Sequence, residues 1–458
     1  MADLVLENGR LVTPWGVLDA GVAVEDGIIT AIAAKADLPP AEEVIDCSGQ
    51  YVFPGLFDPH VHLGGRTPYE ENIITETQSA AAGGVTSFLQ YLRSDSMGYE
   101  NVTKRIELSA ERSLVDTSFH FIVSGMEQSK DIPSFSERFD IKTFKYYMGG
   151  YAPGNPIGIV TADDGVLYAG MERIRHLGDY SFCMVHAEDH PLVELFTAEV
   201  KQTGRQDLQA YTDSRPHFVE EQDVLRAIWM AELLGCPLYI PHVTIGAAID
   251  AALAAKARGA RIVLETCPHY LGLTADHEVF HGQRAGIGKV SPPLRDTENQ
   301  DRLWEGLASG DITTVGSDHV PIEKSGSALW EERPGFAGMA TILPALITFG
   351  LKPGRISLEK IAEVTSLNPA RTFGYYPQKG VMAVGSDADF AIVDLGLEKT
   401  VNAASTHSRF TSAFDEMTLT GWPTITIRRG EVIFRDGEVL AEPGSGRIIQ
   451  RVGSSAPA

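Results

Sequence analysis

The feature that most constrains the fold is the regular alternation of strand-like and helix-like segments through the middle of the chain. Eight apolar runs read as strands, near residues 53–59, 85–91, 117–124, 140–147, 182–187, 237–243, 261–267 and 312–317. Helical spacing fills the intervals; residues 71–82, for example, predict a helix that Gly83 and Gly84 end. Eight strand–helix units over roughly 320 residues predict an α/β fold, the (β/α)8 TIM barrel.

The two ends of the chain differ from this middle, because they read as short strands broken by turns. Asn8-Gly9 and Asp26-Gly27 are strong hairpin signals, and residues 385–394 and 424–439 again alternate strands with glycine turns. We expect one small β-sandwich domain built from both termini. The predicted domains are residues 1–53 and 373–458 for this sandwich, with a tail frayed after Glu442, and residues 54–372 for the barrel.

Composition excludes several classes of protein. The chain has 458 residues, is 43% hydrophobic and carries a formal charge of −23, which suits a soluble globular protein and argues against a nucleic-acid partner. No apolar run approaches the ~18 residues that span a membrane, and the N-terminus lacks the pattern of a signal peptide. The four cysteines are widely spaced and read as reduced thiols, so the expected location is cytoplasmic.

Side chains that can bind metals stand where five of the predicted strands end. His60 and His62 share one face of the first strand, and imidazole is the commonest protein ligand for zinc-like ions. The later strands contribute Lys145, His186, His242 and Asp318. Because the chemistry of such barrels lies at the C-terminal ends of their strands, these six residues predict one metal site.

Separate structural roles are the alternative for each of these residues. A single histidine at a strand end is more often structural than a ligand, Asp318 could cap a helix, and Lys145 could belong to a buried ion pair. Four imidazoles, one lysine and one carboxylate in this order on five strands favour the metal site.

Lys145 has a specific role in this hypothesis. Imidazoles and two divalent cations would desolvate and repel an ammonium group, which favours the neutral amine. A neutral amine can take up carbon dioxide and form a carbamate, with one oxygen for each metal. The expected cofactors are therefore two divalent ions, with zinc, manganese and cobalt all suitable, and carbon dioxide held as N-carboxylysine at Lys145.

Further motifs lie at residues 267–274, 290–296, 316–321, 366–371, 379–380 and 385–389. With the six candidate ligands, they make nearly the whole chain resemble the amidohydrolase superfamily. The similarity is to its cyclic-amidase branch of hydantoinases, dihydropyrimidinases, allantoinases and dihydroorotases, and most of all to L-selective hydantoinases. The resemblance implies that His60, His62, Lys145 and Asp318 hold one metal, and that Lys145, His186 and His242 hold the other. It also implies a homotetramer.

The resemblance further implies ring opening of a small cyclic amide or ureide, such as a hydantoin or dihydropyrimidine, to an N-carbamoyl amino acid. The metals would activate water and polarise the amide carbonyl, while Asp318 accepts a proton and delivers it to the leaving nitrogen. The substrate contacts expected are Ser291, Tyr147, Tyr151 and Gly335. Tyr69, Met148, Phe336 and Met339 are candidates for an apolar pocket or for ordinary packing, and His269 and His319 for supporting roles.

Departures from the family pattern bear on the substrate. Gly64 stands where dihydroorotases usually carry an arginine, which disfavours that activity, and Gly150 stands where hydantoinases carry an oxyanion-binding tyrosine. Allantoinase, cyclic imide hydrolase and dihydroorotase remain the alternatives within the family. Aminohydrolases acting on exocyclic amines usually lack the lysine, and non-catalytic scaffold relatives usually lose ligands, whereas this chain keeps all six.

Overall fold

The computed structural model describes residues 1–65, 67–149, 159–326 and 328–452. The strands are β1 (Ala2–Glu7), β2 (Arg10–Thr13), β3 (Gly16–Asp19), β4 (Gly21–Glu25), β5 (Ile28–Ala33), β6 (Ala41–Asp46), β7 (Tyr51–Pro54), β8 (Leu56–Val61), β9 (Val85–Arg93), β10 (Asp116–Ile122), β11 (Thr143–Tyr147), β12 (Phe182–His186), β13 (Leu238–Ile240), β14 (Ile262–Thr266), β15 (Thr314–Val315), β16 (Phe390–Thr400), β17 (Thr418–Arg428), β18 (Glu431–Arg435) and β19 (Glu438–Val439).

The α-helices lie mostly between the barrel strands. They are α1 (Tyr69–Ala82), α2 (Glu100–Arg112), α3 (Met126–Phe139), α4 (Asp164–Ile174), α5 (His190–Gln202), α6 (Leu208–Asp213), α7 (His217–Leu234), α8 (Gly246–Ala257), α9 (Pro268–Gly272), α10 (Thr297–Ser309), α11 (Ile342–Leu346), α12 (Leu358–Ala362), α13 (Asn368–Phe373) and α14 (Ala403–Thr406). Within the described ranges, no helix is long and apolar enough to cross a membrane.

Strands β8 to β15 form one parallel sheet in which each strand pairs with its neighbours in sequence. The sheet curves round so that Val61, at the end of β8, pairs with His319, just beyond β15. The amide of His62 donates to the carbonyl of His319 at 2.8 Å. Each of the eight predicted strands coincides with one of these strands, so the predicted barrel is confirmed.

Helix α1 shows how the sequence sets the packing around the barrel. It ends at Gly83 and Gly84 because the chain passes close to neighbouring segments there. A Cβ atom on Gly83 would lie 2.5 Å from the Cα of Ala340, and Gly84 has a φ of +80°. Only glycine fits both positions without displacing backbone, and β9 then starts at Val85.

Two further sheets make up the predicted β-sandwich from both termini, and this part of the fold is also confirmed. One has the order β5-β4-β1-β6 and the other β19-β18-β17-β16-β7-β2-β3. The N-terminal β7 pairs with the C-terminal β16, and β7 leads through Gly55 into the barrel strand β8. Leu6, Val22, Phe390 and Ile427 belong to one buried cluster between the two sheets.

One of the two hairpin signals is wrong. Asp26 and Gly27, with φ of 53° and 74°, do join the antiparallel strands β4 and β5. Asn8 and Gly9 instead carry the chain from one sheet to the other, since β1 and β2 pair with different partners. Glycine is required at position 9 by close packing, because a Cβ atom there would lie 2.8 Å from the Cβ of Cys47.

The expectation that the chain is frayed after Glu442 is wrong for residues 443–452. Thr117, near the start of β10, donates to the carbonyl of Arg447 at 2.8 Å and accepts from the amide of Ile449 at 3.0 Å. The guanidinium of Arg451 lies 5.5 Å from the ring centroid of Tyr375. Backbone pairing and this contact therefore hold the tail against the barrel.

Candidate metal centre

One half of the predicted site lies where β8 meets the segment after β15. The Nε2 atoms of His60 and His62 are 3.2 Å apart, and Asp318 Oδ1 lies 3.1 Å from the first and 3.4 Å from the second. Ligand atoms around a tetrahedral ion with bonds of 2.0–2.1 Å are roughly 3.4 Å apart. The spacing and the chemistry of these three donors therefore fit a zinc-like cation.

The other half lies at the ends of β11, β12 and β13. His242 Nε2 is 3.3 Å from His186 Nδ1 and 3.2 Å from Lys145 Nζ. The rings of His60 and His242 join the two halves, with centroids 5.4 Å apart. All six residues predicted as ligands thus lie in one cluster, although this arrangement does not by itself assign a metal to any of them.

The pKa values of His60 and Asp318 are shifted in opposite directions by their neighbours. Burial acts to lower the pKa of His60, but the carboxylates of Glu265 and Asp318 outweigh it and raise that pKa to about 9. Burial acts to raise the pKa of Asp318, but His60 and the hydrogen bonds from His60 and His62 hold it well below its usual value. Asp318 therefore carries a negative charge, which is the form of a carboxylate that binds a metal cation.

Lys145 lies in an environment that lowers its pKa. It is fully buried, with its Nζ atom 5.6 Å from the ring centroid of Tyr91 and 5.5 Å from that of Tyr147. Burial lowers its pKa to about 7, although Asp318 and Glu265 act to raise it. A large fraction of the side chain is thus the neutral amine near pH 7, which is the form that reacts with carbon dioxide.

Three buried carboxylates orient these residues, and the sequence reasoning missed all of them. Glu265 accepts from His60 Nδ1 at 2.6 Å, and Glu188 accepts from His186 Nε2 at 2.8 Å. Asp58 accepts from the amides of His60 and Ser317, the residue before Asp318. A carboxylate on the far nitrogen of a histidine fixes which nitrogen faces a metal.

Backbone conformation also aims two of the side chains. His242 and Asp318 have φ of 45° and 48°, in the left-handed region that residues other than glycine seldom adopt. Such strain costs of the order of 1 kcal/mol or more and persists where the surroundings enforce it. Hydrogen bonds enforce it here, since the amide of His242 donates to Glu265 and the amide of His319 to the carbonyl of His60.

A cavity of about 150 Å³ lies above the cluster. Of the predicted substrate contacts, Tyr147, Ser291 and Gly335 line it. The Ser291 hydroxyl is 2.6 Å from the hydroxyl of Tyr211. Tyr151 lies outside the described residues, as do Gly150 and Arg66.

The suggested apolar pocket residues do not line this cavity. Tyr69, Met148, Phe336 and Met339 are buried in the core. The aliphatic lining among the described residues consists of Leu63, Ile122, Ile159, Val290, Val320, Pro321, Ile322 and Pro334. Hydrogen bonds to Gln90 and Ser109 hold the Tyr69 side chain in the core, away from this cavity.

His269 and His319 lie beside the cluster. His319 Nδ1 accepts from the amide of Gly338, and its Nε2 atom is 3.2 Å from Glu76. This ring therefore connects the segment after β15 to helix α1. The ring of His269 packs at 5.1 Å from that of Phe336, and burial lowers its pKa to about 3.

The chain is similar to several known proteins over nearly its whole length. A family model described as "Amidohydrolase family" matches residues 216–433. An L-hydantoinase of Paenarthrobacter aurescens is 33% identical over 464 residues, covering 98% of both chains, and an allantoinase of Deinococcus radiodurans is 34% identical with the same coverage. The solved L-hydantoinase (dihydropyrimidinase) from Arthrobacter aurescens superposes with a TM-score of 0.89 at 32% identity, over 98% of this chain and all of that one.

Proposed function

Because this chain belongs to the amidohydrolase family, in the branch that hydrolyses cyclic amides, we propose that it opens the ring of a hydantoin or dihydropyrimidine. Hydrolysis of one ring amide bond would give an N-carbamoyl amino acid. The observation that carries this proposal is the convergence of His60, His62, Lys145, His186, His242 and Asp318 beneath one small cavity.

The cofactors proposed are two divalent ions, zinc first and manganese or cobalt as alternatives. His60, His62 and Asp318 would hold one ion and His186 and His242 the other, with an N-carboxylated Lys145 shared between them. Such ions supply a Lewis acid for the amide carbonyl and activated water near neutral pH. The burial of Lys145 and its lowered pKa, which make the neutral amine available near pH 7, support the carboxylation.

Asp318 is the residue proposed to move protons. Its carboxylate lines the cavity and is held ionised by His60 and His62. It would accept a proton from the attacking water and deliver it to the ring nitrogen, because an amide nitrogen leaves poorly unless it is protonated. In a cyclic amide the leaving nitrogen stays tethered to the product.

Ser291, Tyr147 and Gly335 are proposed to position the ring, since all three line the cavity. The backbone of Ser291 or Gly335 could bind the ring amide, and the hydroxyl of Tyr147 could donate to the carbonyl oxygen as it becomes an oxyanion. Tyr151 is the alternative oxyanion donor by its place in the sequence.

Allantoinase is the second candidate, because allantoinases are as similar to this chain as the hydantoinases are. The test is a turnover screen over hydantoin, 5-substituted hydantoins, dihydrouracil, allantoin, dihydroorotate and succinimide, with the ring-opened product identified by mass. We expect hydantoins or dihydrouracil to be opened fastest. Fastest opening of allantoin would replace the proposal with the second candidate, and no turnover of any ring would refute both.

We also propose that the chain works as a homotetramer, as the resemblance implies, and in the cytoplasm, as its few, widely spaced cysteines favour. Light scattering on the purified protein should give about four times the mass of one 49.6 kDa chain. A monomeric mass would contradict the assembly without bearing on the chemistry.

A further inference from the structure

The cavity above the metal centre is rimmed by positive charge. Arg93, at the end of β9, Arg105, on α2, and Arg333 all line it, and Asp318 is the only carboxylate among the lining residues that the structure describes. The chain as a whole has the opposite balance, with 61 acidic and 38 basic residues. Asp318 is bonded to His60 and His62 at the cavity floor and so is already engaged.

These arginines lack acidic partners. In the part of the chain that the structure describes, the guanidinium groups of Arg93 and Arg333 form no hydrogen bond or ion pair. Arg105 donates to the carbonyl of Gly64 at 3.4 Å and lies over the ring of Tyr69. Residue 66 is an arginine and residues 150–158 contain no Asp or Glu, so the sequence there offers no compensating charge.

The charges of Arg93 and Arg105 repel each other, and neither guanidinium forms an ion pair with another described residue. Burial lowers the pKa of Arg105, and the charge of Arg93 lowers it further, while Tyr69 and Asp95 act in the opposite direction. An anion placed between such groups would be stabilised by both. There is also room for it, because a Cβ atom on Gly65, another lining residue, would meet nothing within 4 Å.

We propose that the enzyme prefers rings whose substituent ends in a carboxylate, which Arg93 and Arg105 hold while the ring lies against Asp318. Arginine suits this task, because its planar guanidinium binds a carboxylate through two parallel hydrogen bonds. Arg333 is exposed at the mouth of the cavity and would attract the anion from solvent. This inference rests on the proposed hydrolysis of cyclic amides and specifies the class of substrate.

The test compares two isosteric substrates, 5-(carboxymethyl)hydantoin and the neutral 5-(carbamoylmethyl)hydantoin, by kcat/KM. We expect wild-type enzyme to prefer the acid about tenfold or more, the size of one charge-assisted contact. Added salt should reduce that ratio through screening. Equal rates, or a preference for the amide, would overturn this inference and leave the proposed function standing. Turnover of neither compound, together with none of unsubstituted hydantoin or dihydrouracil, would refute the proposed function itself.

Variants assign the preference to residues. Arg93→Gln and Arg105→Gln should each bring the acid-to-amide ratio towards one, and Arg93→Lys should restore part of it. The matched control is Arg112→Gln, on the same helix as Arg105 but outside the cavity lining, which should keep the wild-type ratio. The ratio is independent of any general loss of active enzyme. A wild-type ratio in both Arg93→Gln and Arg105→Gln would overturn the assignment.

Discussion

Glu265→Gln should separate the orienting role of a buried carboxylate from the ligands themselves. Glu265 accepts from His60 Nδ1 and from the hydroxyl of Tyr239, both at 2.6 Å, and from the amide of His242 at 3.3 Å. The substitution keeps the size of the side chain but removes its charge. It also turns one acceptor oxygen into an NH2 group that faces a donor.

Two effects follow from these contacts. Loss of a carboxylate behind a ligating histidine typically weakens metal binding by 10–100-fold, which is about 1.4–2.8 kcal/mol. A buried donor left facing another donor costs about 1–3 kcal/mol of folding free energy. We therefore expect Glu265→Gln to bind metal 10–100-fold more weakly and to unfold at a lower temperature.

Competition with a chelator of known affinity measures the first effect, and thermal unfolding of metal-free protein measures the second. Asp389→Asn is the matched control. Asp389 is also a buried carboxylate, but its hydrogen-bond donors are Lys379, Thr86 and the amide of Arg429, none of which belongs to the candidate metal centre. The control should lower the unfolding temperature without changing metal affinity. Unchanged metal affinity in Glu265→Gln would show that Glu265 does not orient His60 for metal binding.

Three other predictions concern single residues. Intact mass in bicarbonate buffer should show one carbon dioxide adduct on wild-type protein and none on Lys145→Ala; an adduct that persists would contradict carboxylation of that lysine. Asp318→Asn should lose several orders of magnitude in kcat, since one residue supplies both base and acid, and near-normal turnover would exclude that role. Burial acts to raise the pKa of Asp116, but Lys379 and Arg429 lower it to about 2 from 3.8. The ionised Asp116 therefore contributes about 2 kcal/mol to the free energy of unfolding above pH 4, and this contribution is lost as pH falls towards 2. Denaturant unfolding should show that the free energy of unfolding depends less on pH over that interval in Asp116→Asn than in wild type, and an unchanged dependence would contradict this role of Asp116.

The barrel and the six candidate ligands could be predicted because they depend on a repeated local pattern. Each strand is an apolar run, and parallel strands bring their C-terminal ends to one face of the barrel. His60, Lys145 and His242 are far apart in sequence, yet each lies within two residues of the end of such a strand, so topology alone brings them together.

Glu265 could have been found by the same criterion, because it also stands near the end of an apolar strand. Glu188 could not, since its role depends on which nitrogen of His186 turns away from the centre. The arginines at the cavity mouth were missed for a similar reason. Arg93, Arg105 and Arg333 come from separate segments, and no periodicity shows that they line one space.

Turn signals were reliable only where the flanking strands pair with each other. Asn8-Gly9 and Asp26-Gly27 look alike in sequence, but β1 pairs with the distant β6, and β2 with the distant β7. The preference of the dipeptide for a tight turn is local, whereas the choice of strand partner is made by packing between two sheets. Residues 443–452 are likewise held by contacts that their composition does not reveal.

The central claim is that six side chains hold two metal ions in one centre. Anomalous diffraction at the zinc edge, from crystals grown with zinc and bicarbonate, tests it most directly. We expect two peaks per chain, one bounded by His60, His62 and Asp318, the other by His186 and His242, with density for a carboxylated Lys145 between them. A single peak, or peaks away from these residues, would contradict it.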